Sequence, residues 1–243
     1  MALLMSACTT SIQFVRQPEL SKSMTVQPPA AHAYSSKKAQ FFAHLKPIVV
    51  SENVRILRLR QKITDLKAKT TLNRRQSAWL QRIGASYGVR ISAQPAYEQW
   101  QQLLDRVDIV PLEMALAQAA NESAWGQSRF ARQGNNYFGQ WCYQKGCGLV
   151  PKQRAAGAHH EVRRFTSPAQ SVRAYLHNIN SSAAYAEFRA IRHSLRVQSK
   201  PLDAQRLAVG LKSYSERGMA YVRTIQTMIR SNRQLILSSP ADS

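Results

Sequence analysis

Acidic residues are scarce in this chain: 13 Asp and Glu stand against 34 Lys and Arg, a formal net charge of +21. Carboxylate chemistry must therefore come from a short list, and a cationic partner is disfavoured as much as an anionic one is attracted. Long apolar runs are also missing. No stretch approaches the roughly 18 consecutive apolar residues of a membrane span, although 44% of the 243 residues are hydrophobic, an ordinary globular share. Only three cysteines are present, too few for a disulfide-built scaffold. Zinc is disfavoured because no second Cys/His pair lies at ligand spacing and His159 and His160 are adjacent. No metal or organic cofactor is implied. A Gly-x-x-x-x-Gly-Lys-Ser/Thr phosphate loop is absent, which removes support for nucleotide hydrolysis.

What is present begins with charge. Such a basic chain is drawn to nucleic acid, an acidic membrane surface, or a cell wall rich in carboxylates and phosphates. Zinc-finger spacing, an RNA-binding aromatic string and a recognition-helix motif are all lacking, and the basic residues are spread along the whole chain, so nucleic acid is not the expected partner. Cys142 and Cys147, five apart, have the spacing of a small disulfide loop suited to an oxidising compartment, with two free thiols as the alternative. Leu4-Met5-Ser6-Ala7-Cys8 has the form of a lipoprotein cleavage site that would lipidate Cys8 and attach the chain to a membrane, but a basic start and a long apolar stretch are missing before it.

Four segments are expected. Residues 1–36 read as a flexible Pro-containing segment. A basic helical extension covers 37–74, with Val54, Leu57, Ile63 and Leu66 as its apolar stripe and a solvated outer face. A main helical domain covers 75–237, and 238–243 form a tail. Within that domain helices are expected at Arg74–Tyr87, 96–107, Pro111–Ala124, from Ser167-Pro168 onward, 183–196, 201–211 and 216–234, the last opened by a Ser213/Glu216 capping box. Residues 126–166 read as irregular, with a few short strands. The fold class is mainly α.

The chemistry concentrates at Glu122. It lies three residues after Ala119 and seven after Ala115, on the small apolar stripe of its helix and at that helix's C-terminal end. The negative end of the helix dipole and partial desolvation both favour a protonated carboxyl, the state a general acid needs. The bland alternative is a Glu that emerges at the helix end and pairs with Arg129 or Arg132.

Glu122-Ser123-Ala124-Trp125-Gly126 followed by Asn135-Asn136-Tyr137-Phe138-Gly139 resembles the signature of the bacterial glucosaminidases, glycoside hydrolase family 73 and its relatives. The likeness continues through Phe165-Thr166-Ser167-Pro168-Ala169, Asn180, Tyr185 and Tyr214-Ser215-Glu216, over roughly residues 80–235. The string from Asn136 to Cys142, with Gly146-Cys147-Gly148-Leu149-Val150-Pro151, resembles the Bax-type subgroup. The resemblance implies a lysozyme-like helical domain with a small loop/β lobe flanking a substrate cleft. It implies a peptidoglycan hydrolase, an endo-β-N-acetylglucosaminidase with Glu122 as general acid and Tyr214 lining the cleft. Tyr137, Phe138, Trp141, Tyr143 and Tyr185 would meet sugar rings, and Asn136 and Gln140 the N-acetyl group. The upstream Glu of the wider family has no counterpart, since Gln153-Arg154 stand there; Glu161 is the candidate base, with the substrate's own acetamido group or an intramolecular attack as alternatives. A monomer, periplasmic or outer-membrane-associated, is expected. A muramidase or lytic transglycosylase on the same fold, or a non-catalytic wall-binding or nucleic-acid-binding protein, are the competing readings.

Overall fold

The computed structural model describes residues 36–154 and 157–238. Cys8 lies outside the described residues. The chain is mainly helical: α1 Lys37–Lys67, α2 Arg74–Ser86, α3 Tyr97–Arg106, α4 Leu112–Ser123 and α5 Arg129–Gly134 precede a small sheet. Strands β1 Trp141–Cys142, β2 Gly148–Leu149 and β3 Glu161–Arg163 form that sheet, and α6 Pro168–Ser181, α7 Ala186–Val197, α8 Ala204–Ala208 and α9 Met219–Ser238 complete the order. Short 3-10 turns, Ala183–Tyr185 and Val209–Leu211, lead into α7 and follow α8.

At the centre is α4. Every residue from Met114 to Ala120 is buried, so the helix is enclosed on all sides rather than on one face. Its alanines allow close approach, and α1, α8 and α9 pack around it. The loop before α4 is pinned by Arg192 of α7, whose guanidinium is buried and donates to the carbonyls of Asp105, Asp108 and Ile109 and to Asn180 Oδ1. Asp108 itself accepts two hydrogen bonds from Arg196. Burial lowers the Arg192 pKa to about 10, still well above neutrality, so the charge persists among its carbonyl partners.

The helix expected within 37–74 is α1, and it packs more deeply than a basic segment with a solvated outer face would. Val54 and Leu57 are exposed, while Phe42, Leu45, Val49, Ile56, Ile63 and Leu66 are buried, and α1 packs against α4, α6 and α9. One stripe position is polar: Glu52 is buried and held by Arg55 and by a fork of two hydrogen bonds from Arg173 of α6. Burial alone would raise the Glu52 pKa, but these guanidiniums hold it below the usual range.

Two further expectations change. Residues 129–134 form a helix inside the segment read as irregular, capped by Ser128. The Ser213/Glu216 capping box does not form, because 212–218 are turns and the last helix starts at Met219.

In the sheet β3 lies between β1 and β2, antiparallel to both. Gly148 is required there, since a Cβ would stand 2.1 Å from the Val162 carbonyl oxygen. A disulfide joins Cys142 to Cys147 and closes the turn between β1 and β2.

Candidate active site

Each residue after Glu122 has a local task that fixes the end of α4. Ser123 Oγ donates to the Ala119 carbonyl at 2.6 Å and accepts from Gly126 N at 2.8 Å. Ala124, Trp125 and Gly126 all take the left-handed conformation, with φ of 50°, 59° and 75°. Two non-glycine residues in that region cost about 1–3 kcal/mol each, so the surroundings must hold them. Trp125 is held by packing edge-on against Phe41 and Phe42 of α1, with ring centroids 5.8 and 5.5 Å away. The chain thus leaves α4 abruptly and the Glu122 side chain remains at the helix end.

Glu122 lines a cavity of about 520 Å³ together with Phe138, Gly139, Gln140, Trp141, Tyr143, Asn178, Tyr185, Tyr214 and Ser215. Its two carboxyl oxygens differ. Oε1 accepts from Tyr221 Oη at 2.9 Å and from Asn121 Nδ2 at 3.0 Å. Oε2 has no hydrogen-bond partner among the described residues, and a Cβ on Gly139, whose φ is 65°, would stand 3.9 Å from it. One oxygen is positioned by the protein and the other is left unpaired among the described residues.

Behind Glu122 runs a buried relay. Tyr175 donates to Gln118 Oε1, Gln118 Nε2 donates to Tyr221 Oη at 2.9 Å, and Tyr221 donates onward to Glu122. Because Gln118 uses its amide N–H toward Tyr221, the tyrosine proton is left for the carboxylate. Burial, and then the neighbouring Glu122 charge, push the Tyr221 hydroxyl far above its usual range, so it remains a neutral donor. The sequence reading missed Tyr221: next to Val222 on the apolar face of α9, it is indistinguishable from a core residue until α9 is seen crossing α4.

The other expected site residues divide. Tyr214 and Tyr185 do line the cavity, 6.0 Å apart between ring centroids. Tyr214 stacks on Tyr221 and spends its hydroxyl on the Phe138 carbonyl at 2.9 Å; burial first, then Tyr221 and Glu122, keep it un-ionised. Trp141 and Tyr143 are 55% and 73% exposed and present flat faces at the rim, with Trp141 stacked on His160. Phe138 reaches the cavity while stacked on Tyr175 at 3.9 Å. The side-chain Oε1 of Gln140 is buried and accepts from no protein donor among the described residues.

Three expected site residues lie elsewhere. Asn136 is buried, and its amide is spent on the loop itself: Nδ2 on the carbonyls of Gln140 and Arg163, Oδ1 on the N–H groups of Phe138 and Gln140. Tyr137 turns to α1, where it packs on Phe41 and places its hydroxyl 3.4 Å from His44 Nε2. Glu161 is absent from the cavity lining. Its two oxygens accept from the Gly146 and Gly148 N–H groups at 2.9 and 2.7 Å, and these bonds hold its carboxyl below the usual carboxylate range. It anchors the disulfide-closed turn across from Cys142, its pairing partner in the sheet.

A second, larger cavity of about 810 Å³ continues from the first, sharing Gln140, Trp141, Tyr143 and Asn178 with it.

The family described as mannosyl-glycoprotein endo-beta-N-acetylglucosaminidase matches residues 97–234. Among curated proteins the chain is similar to Protein bax of Escherichia coli (strain K12), 32% identical over 200 residues that span 82% of this chain and 71% of that protein. No solved structure matches.

Proposed function

This chain belongs to the Bax-type glucosaminidases, and from that premise we propose that it is an endo-β-N-acetylglucosaminidase that cuts peptidoglycan glycan strands, with Glu122 as the general acid. The observation that carries this reading is the asymmetry of the Glu122 carboxyl, one oxygen held by Tyr221 and Asn121, the other facing a sugar-sized cavity. A group so placed protonates the glycosidic oxygen as the bond breaks.

The nucleophile is assigned to the substrate. Glu122 is the one acid lining its cavity among the described residues, and Glu161 is committed to the turn. A direct displacement by enzyme or water calls for a second carboxylate flanking the bond. The acetamido oxygen of the N-acetylglucosamine unit replaces it: it attacks the anomeric carbon as Glu122 protonates the leaving sugar. Glu122, now ionised, takes a proton from the water that opens the cyclic intermediate. Tyr185 and Tyr214 form the wall against which that sugar rests, and Trp141 and Tyr143 the rim.

The net charge of +21 favours encounter with lactyl and peptide-stem carboxylates and makes the rate sensitive to salt. The same proposal places the chain outside the cytoplasm, in the periplasm or at the outer membrane, where the Cys142–Cys147 disulfide would persist.

The test is mass spectrometry of fragments released from purified peptidoglycan by the wild type and by Glu122→Gln. The proposal expects reducing-end N-acetylglucosamine from the wild type only. Reducing-end or anhydro N-acetylmuramic acid would move the cut to the other linkage. Release of nothing by either protein would point to a wall-binding protein.

A further inference from the structure

The larger cavity beside the Glu122 site is lined by no acid that could protonate a glycosidic oxygen, yet it has the chemistry of a binding site. At about 810 Å³ it lies within the span of ligand-holding clefts, about 300–1,000 Å³. Arg55, Arg163 and Arg173 line it, and no acidic residue does. Glu52, which binds Arg55 and Arg173, is buried beneath them and cancels one of the three charges.

Guanidinium nitrogens remain available above that pair. Arg55 engages Glu52 through Nε alone, and Arg173 through Nε and Nη2. Both side chains are about half exposed, at 49% and 51%. Arg163 meets only the face of Phe165 and forms no ion pair among the described residues. Gln140, at the junction with the Glu122 cavity, contributes a buried Oε1 that lacks a protein donor and so calls for an N–H from a ligand.

We infer that this groove binds an acidic peptide carried by the glycan being cut, with the peptide's carboxylates on Arg55, Arg163 and Arg173 and an amide N–H on Gln140. The inference rests on the glycan-cleaving reading of Glu122. Continuity between the cavities favours this occupant over a free anion. A strand lying along the Glu122 cavity passes Trp141 and Tyr143, and a substituent branching from a neighbouring sugar leaves directly into the groove. Peptidoglycan carries such substituents on alternate sugars. Arginine suits them because its planar fork grips a carboxylate through two parallel hydrogen bonds.

The experiment uses the Glu122→Gln chain, so that binding is read without cleavage. Two probes are titrated by calorimetry at low salt: a peptidoglycan tetrasaccharide with its stem peptides, and the same tetrasaccharide stripped of peptide by an amidase. The stemmed probe is expected to bind about tenfold tighter or more, one charge-assisted contact accounting for roughly one factor of ten. Adding Arg55→Gln and Arg163→Gln should bring the ratio of the two Kd values close to one, and Arg163→Lys should restore part of it. Arg173 is left intact because it holds the buried Glu52 through two hydrogen bonds where Arg55 gives one, and unchanged melting temperatures confirm that the variants fold.

A ratio near one in the starting chain, or a ratio that survives both substitutions, overturns the inference. The two readings separate when wild-type cleavage is measured alongside. A chain that prefers the stemmed probe but releases no fragments loses the glycosidase reading and keeps the groove. A chain that cuts glycan but binds both probes alike keeps the first and loses the second.

Discussion

Tyr221 donates its hydroxyl proton to Glu122 Oε1 at 2.9 Å while accepting from Gln118 Nε2 at the same distance. The carboxyl is therefore oriented from behind by a group that touches no substrate. Tyr221→Phe removes that donor and leaves the Gln118 amide without its acceptor. Turnover should fall about 10- to 100-fold, and stability by roughly 1–3 kcal/mol for the orphaned amide. Steady-state kinetics with a melting curve checks both, and wild-type turnover in a folded Tyr221→Phe protein would remove Tyr221 from the site.

The two carboxylates should separate by role. Glu122→Gln keeps the shape of the helix end but cannot donate a proton, and a loss of about 10²–10⁴-fold in kcat is expected. Glu161→Gln keeps one acceptor oxygen but sets an NH2 donor against the other of the Gly146 and Gly148 N–H groups, and it should reduce kcat less than about tenfold, with the main effect on the order of the turn. Equal losses from the two changes would return Glu161 to the chemistry.

Acid should loosen this turn. The folded pKa of Glu161 lies below its unfolded value, chiefly through the Gly146 and Gly148 amides. Its stabilising effect is therefore full above the ordinary carboxylate pKa and is lost as pH falls through the depressed folded value. Followed by NMR, the amide shifts of Gly146 and Gly148 should titrate together, at a pH lower than the ordinary Glu value of about 4.3. Titration at or above that value would refute the anchoring role.

Reduction of Cys142–Cys147 should act locally as well. Closing so short a loop contributes about 2 kcal/mol by chain entropy. Because the turn carries Trp141 and Tyr143 at the cavity rim, reduction should raise KM more than it lowers kcat. A reductant titration followed by kinetics decides this; an unchanged KM would uncouple the turn from substrate.

The sequence made α4 and its terminal Glu legible because the information is local: a run of small apolar residues, a Glu in register with them, and a Gly just beyond. The boundaries of α2, α3 and α6 follow from equally local signals, such as Ser167 and Pro168 at the start of α6. What could not be read depends on distant partners. The stripe of α1 is interrupted by Glu52, which looks solvent-facing until Arg173, 121 residues later, is seen to grip it. Asn136 looks like a sugar ligand until its four hydrogen bonds are traced into its own loop. Tyr221 needs the crossing of α9 over α4, and the six-residue α5 is too short to show a period.

The packing of α1 means that the smallest autonomous piece of this protein is larger than the piece the family recognises. The match begins at residue 97, yet α1 packs against α4 and α9 with Leu45, Val49 and Ile56 buried, and Phe41 and Phe42 brace the left-handed Trp125 behind Glu122. A fragment cut to the match would open that face to water and release the turn that aims the carboxyl. In this chain, trimming to the apparent enzyme would remove the keystone of its own active site.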